Sequence, residues 1–149
     1  GALWTRTLIE ACRVRTLPPV RRVVVGVDPP ASSGGDACGI VVAALGVDGR
    51  GYVIEDASVR GRQPEGWAAA VAGATQRHDA DIVVAEANNG GDMVGQVLRA
   101  VLDLARVIFE QLLAEFGRRR SPDRADACVW ALTELLLGKR ERVPQVRGL

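Results

Sequence analysis

Histidine and cysteine are scarce in this 149-residue chain, which has one His and three Cys. Cys12, Cys38 and Cys128 are odd in number and too far apart for zinc-type spacing, so neither a disulfide framework nor a zinc site is expected. No apolar run reaches the roughly 18 residues that span a bilayer, and the opening GALWTRTLIEACRV lacks the layout of a signal peptide. A soluble protein of the reducing cytoplasm, with no membrane partner, is the expectation. Charge of one sign is lacking as well. Nineteen Lys plus Arg against eighteen Asp plus Glu leave +1, which gives no general pull toward a polyanion, so any nucleic-acid surface must be a local patch. Internal repeats and long low-complexity segments are absent from the sequence.

What is present suits one ordinary domain with a real core: 48% of residues are hydrophobic and 25% charged. Leu3, Trp4, Leu8, Ile9 and Cys12 recur at helical spacing, and Pro18 and Pro19 end that segment, which reads as a docking helix or linker. Residues 21–27 (RRVVVGV) are a β-branched run without a polar break, as expected of a strand buried on both faces. Asp28 follows where that strand ends. Two further strands are predicted over 37–47 and 52–58, joined through Asp48-Gly49, a hairpin signal. A helix over 64–78 carries Trp67, Ala70, Val71 and Ala74 on one face, and a continuous strand, DIVVA, follows over 81–85. Gly90 and Gly91 open a helix through Val94, Val97, Leu98 and Val101. Another apolar helix is predicted over 106–116, and a last helix has Ser121 as its cap, Pro122 at its first position and an apolar stripe over 125–137. The tail is basic.

Acidic residues stand where these elements would gather them. Asp28 ends the first strand and Glu86 ends the fourth. A three-stranded meander followed by a helical crossover most simply sets the fourth strand parallel to the first and beside it, about 4.8 Å away. Asp123 and Asp126 are spaced i, i+3 on the last helix, where both can project from one face, and the helix dipole favours acids in the first turn. Converging carboxylates repel one another, and divalent cations relieve that repulsion. All-oxygen ligands with little histidine select Mg²⁺ or Mn²⁺, and two such ions support phosphodiester hydrolysis. Glu86 is the hardest of these acids to dismiss, because a charge at the end of a buried strand is costly unless paired or bound to metal. Asp28 can also open a turn before Pro-Pro, and Asp123 can be a plain helix-start residue. Asp36 is open to either a turn or a metal role. Asn88, Asn89 and Asp92 shape a turn and cap a helix, His78 ends a polar helix, and Trp4, Trp67 and Trp130 read as core. Arg118, Arg119, Arg120, Lys139 and Arg140, with Arg142, flank the last helix as candidate phosphate contacts. Arg60 and Arg62 are weaker ones.

The segments RRVVVGVDPPASSGGDACGIVV, DIVVAEANNGGDMVGQVLRAV and SPDRADACVWALTEL resemble the three blocks of terminase large-subunit nuclease domains, including those of gene-transfer-agent and prophage origin. They cover about half the chain, in the family's order. The resemblance implies an α/β ribonuclease H-like fold: a mixed sheet of strand order 3-2-1-4-5, an antiparallel meander plus parallel strands, flanked by helices. It implies that Asp28, Glu86 and Asp126, with Asp123 alongside, bind two Mg²⁺ or Mn²⁺ ions. The implied substrate is double-stranded DNA, cut during genome packaging, and the implied partners are a motor ATPase domain of the same parent chain, a portal and a small terminase subunit. Residues 1–20 resemble the segment linking motor to nuclease, which leaves 21–149 as the nuclease domain. No GxxxxGK[ST] loop occurs, so no ATPase motor lies in this chain. Between about Leu102 and Phe109 the family carries further residues, with a fifth strand and a basic GKxxRAEP-like segment, and the sequence supplies neither. The same metal site also fits a junction resolvase or a ribonuclease H-type enzyme, and a non-catalytic docking module of a packaging motor is the reading from another class.

Overall fold

The computed structural model describes residues 5–30, 37–86, 91–102, 107–110 and 123–138. Helix α1 (Arg6–Ala11) is capped by Thr5, whose side chain accepts from the Leu8 amide, and none of its residues is buried. The first strand, β1 (Val20–Asp28), runs up the middle of a mixed sheet. It pairs antiparallel with β2 (Ala37–Gly46), which pairs antiparallel with β3 (Gly51–Asp56). The Asp-Gly pair makes the turn as its chemistry requires. Gly49 takes a φ of 79°, and the Asp48 carboxylate accepts from the Arg50 amide and the Tyr52 hydroxyl.

A two-residue strand, β4 (Val59–Arg60), continues along β2 beyond the end of β3, with Cys38 opposite Val59 and Ala37 opposite Arg60. Helix α2 (Pro64–Arg77) crosses over to β5 (Ile82–Glu86), which is parallel to β1 and beside it. Asp81 fixes this junction twice: its carboxylate accepts from the Val23 amide and its own amide donates to the Val23 carbonyl. Helix α3 (Gly91–Val101), strand β6 (Val107–Glu110) and helix α4 (Asp123–Leu137) complete the fold. The sheet order is β3-β2-β1-β5-β6, with β4 on β2. With the short β4 set aside, this is the expected order 3-2-1-4-5.

The fifth strand corrects the sequence reading. The sequence predicts a helix over 106–116 and shows no fifth strand there, yet Val107–Glu110 form a strand parallel to β5. Four residues carry no decisive period, and the β-branched and aromatic Val-Ile-Phe run satisfies the open edge of β5 by pairing with it. Residues 111–116 lie outside the described residues, as do Asp36, Asn88, Asn89, Ser121 and Pro122, so the expected caps and turns at those positions have no counterpart here.

Strand alternation builds a core on each face of the sheet. Val25 and Val27 of β1, Ile40 and Val42 of β2 and Val83 and Ala85 of β5 meet Trp67, Val71 and Ala74 of α2 and Val94 and Leu98 of α3. On the other face, Val24, Ala43 and Val84 meet Trp130, Ala131 and Leu135 of α4. Trp67 and Trp130 are therefore core residues, as expected. Trp4 lies outside the described residues. No helix among the described residues is long and apolar enough to cross a membrane.

Candidate active site

Register decides where the acids stand. Val24 to Val27 of β1 pair in parallel with Ile82 to Ala85 of β5, and the next residue of each strand is Asp28 or Glu86, the last of its element. The two carboxylates thus end neighbouring parallel strands, about 4.8 Å apart in the backbone. Both are half-buried. Val24 and Val84, two and one alternations earlier, face α4, so Asp28 and Glu86 belong to the α4 face of the sheet.

Helix α4 brings its first turn to the same edge. Near its C-terminal end, Glu134 accepts from Arg22 of β1 at 2.6 Å. Nearer its start, Ala127 and Ala131 lie so close to Gly26 that a Cβ there would meet the Ala131 nitrogen at 2.9 Å. From Arg22 to Gly26 the strand climbs while the helix numbers fall, so α4 runs antiparallel to β1. Its N-terminus therefore lies over the strand end that carries Asp28. Asp126, Trp130, Thr133 and Leu137 recur at i, i+4, i+7 and i+11 and share one flank of α4. The last three line a pocket of about 180 Å³ with Val84 of β5. That flank faces the β5 side, and Asp126 continues it toward the end where Glu86 stands. Asp123 occupies the first turn of α4; its side chain is outside the described residues.

Among the described residues, no three His, Cys, Asp or Glu side chains come together as a metal-holding group. The strand ends supply a carboxylate pair, Asp28 and Glu86, with Asp126 half-buried on the helix flank. Carboxylates are hard oxygen donors of the kind that hold divalent cations.

The ladder also contains an acid that the sequence reading passed over. Glu110 ends β6 opposite Glu86, so three successive parallel strands finish in a carboxylate residue. Its signal in the sequence is that VIFE repeats the apolar-run-then-Glu form of IVVAE. Of the proposed phosphate contacts, Arg118, Arg119, Arg120, Lys139 and Arg140 all lie outside the described residues. Arg124, in that turn, is exposed and ion-paired with Asp56 of β3 at 3.2 Å. His78 caps the end of α2 and contacts Glu55 of β3.

A meander whose first strand is extended by parallel strands, with a final helix laid across it, defines the ribonuclease H-like fold. Two solved structures of RuvC from Thermus thermophilus have it too. One, RuvC in complex with a Holliday junction substrate, is 20% identical, with a TM-score of 0.54 over 80% of this chain and 96% of that chain. The other, RuvC itself, is 20% identical, with a TM-score of 0.55 over 78% and 95%. The model of the terminase RNaseH-like domain matches residues 25–112, more than half of the chain, and the protein belongs to that family. It is thereby one of the nuclease domains of the ribonuclease H superfamily. No curated protein matches the sequence.

Proposed function

We propose that the chain is a divalent-metal-dependent endonuclease that cuts double-stranded DNA during genome packaging, with little sequence preference. The observation that carries this reading is the parallel register of β1 and β5, which ends both strands in a carboxylate, within a chain of the terminase family. In this reading Asp28, Glu86 and Asp126 hold the ions, with Asp123 beside them. A pair of Mg²⁺ or Mn²⁺ ions, when bound, supplies an activated water and neutralises the leaving oxygen. The protein's own part is to hold negative oxygens on rigid elements. Strands β1 and β5 are pinned to each other by hydrogen bonds and to α4 by packing, so their ends cannot drift apart as the ions and the phosphate are bound. The positive end of the α4 dipole lowers the cost of crowding acids there. Residues 1–20 are read as the link to a motor ATPase domain of a longer parent chain, and a portal and small terminase subunit as its further partners.

Supercoiled plasmid is the substrate for the test. Cleavage is expected with Mg²⁺ or Mn²⁺, absent with a chelator, and lower by at least about a thousandfold in Asp28→Ala, since the ions carry the chemistry. Cleavage by that variant at the wild-type rate ends the proposal. Binding has its own readout. Excess Mn²⁺, at about 100 times its Kd, should stabilise the wild-type fold by about 2.7 kcal/mol, and Asp28→Asn much less.

The likeness to RuvC bound to a Holliday junction favours a second reading, a junction resolvase. Four-way junctions cut in preference to plain duplex would establish it, and equal cutting would exclude it.

A further inference from the structure

The proposed nuclease needs something to hold the DNA backbone beside the carboxylates, and β4 supplies a candidate at a known register. Asp28 pairs with Gly39 of β2. Two residues farther out on β2, Ala37 pairs with Arg60 of β4. Two strand spacings sideways and two residues of rise put the Arg60 backbone about 12 Å from that of Asp28, overhanging the same edge. An arginine side chain spans a good part of that distance.

The turn that follows is built to present two arginines. Gly61 takes a φ of 61°, which lets the chain reverse directly from Arg60 into Arg62 and the start of α2. Both arginines are exposed, and neither has an ion pair among the described residues. Arg62 is nevertheless seated. A Cβ placed on Gly66 would meet its Cβ at 3.2 Å and its Cδ at 3.3 Å, so the stem of Arg62 lies along the first turn of α2 where Gly66 leaves room. A glycine inside a helix costs about 0.5–1 kcal/mol relative to alanine; here it makes the space that the arginine occupies. Arg77, Arg22 and Arg124, by contrast, are each committed to a carboxylate.

We propose that Arg60 and Arg62 grip backbone phosphates of the duplex on the β2 side of the carboxylate edge, fixing the scissile strand relative to Asp28 and Glu86. Guanidinium groups bind phosphate bidentately and without regard to sequence. The inference rests on the nuclease reading above for its substrate, but its test does not require cleavage.

Binding of a fluorescent mixed-sequence duplex is measured in Ca²⁺ between about 50 and 200 mM salt, with the DNA checked afterwards for integrity. Each lost phosphate contact lowers the slope of log K against log salt by about 1, so Arg60→Gln/Arg62→Gln should lose about 2 from the slope and bind about tenfold more weakly, alike for all sequences. Gly66→Ala should weaken binding while leaving thermal stability equal or higher. Arg21→Gln, which removes an exposed charge at the opposite end of β1, should leave slope and affinity unchanged. A double variant that keeps the wild-type slope, or an Arg21→Gln variant that loses as much as it does, overturns the grip. Duplex binding by the wild type without metal-dependent cutting sinks the nuclease reading and leaves the grip standing. No duplex binding at all sinks both.

Discussion

At Gly26 a single added methyl group does the most damage. Its Cβ would overlap the Ala127 carbonyl and sit 2.9 Å from the Ala131 nitrogen, and backbone atoms in a helix cannot turn aside as a side chain can. Gly26→Ala should therefore cost about 3 kcal/mol, at the upper end of overpacking penalties, read from urea unfolding; a loss below 1 kcal/mol contradicts the close approach of α4 to β1. Arg22 and Glu134 hold the other end of the same contact. The Arg22 side chain is 12% exposed and that of Glu134 8%, with 2.6 Å between them, and a second Arg22 nitrogen donates to the Glu134 carbonyl. Removing one partner strands a buried charge. Glu134→Leu should cost about 3–5 kcal/mol, whereas Arg22→Met with Glu134→Leu should cost much less, because the pair repays its own desolvation poorly. A double variant as unstable as the single one would refute that account.

Elements are joined at the sheet margin by a weaker device. Glu55 of β3 accepts from Arg77 and meets His78, both at the end of α2, and the Arg77 guanidinium holds its carboxyl below the ordinary value of 4.5 against the opposing pull of burial. A carboxylate depressed in the folded state adds stability that is full above its unfolded value and disappears as pH falls through the lower, folded one. Between pH 6 and 3 the wild type should thus lose a stabilising increment that Glu55→Gln never had, and the two melting curves should converge in acid. Parallel curves across that range would show that the contact contributes nothing. Arg77 is about half exposed, so the increment is small. Element reading from sequence succeeded where the period was long or the run unbroken. Residues 21–27 and 81–85 announced buried strands, and Trp67, Val71 and Ala74 announced the buried face of α2. It failed at β4 and β6, whose two and four residues are too short to show a period and exist because a neighbouring strand offers them hydrogen bonds.

Across the whole molecule, protection should follow the layering. The amides of β1 and β2, covered on both faces, should exchange most slowly with deuterium, near the global unfolding free energy, and those of α1, none of whose residues is buried, fastest. Slow exchange in α1 would mean that something covers it. What the string of residues fixed unaided was chemistry and order: a strand ending in Asp28, a later one ending in Glu86, a helix starting with two aspartates, and a composition fit for one core. Those follow from local propensity and hydrophobic period, which are properties of neighbours in the chain. The register that sets Asp28 beside Glu86, the antiparallel lie of α4 across β1, and the pairing that brings Glu110 and Arg60 to the same edge needed the folded molecule. Such pairings are made between residues dozens of positions apart, and they are chosen by burial and backbone hydrogen bonding over the entire sheet, which no local window contains.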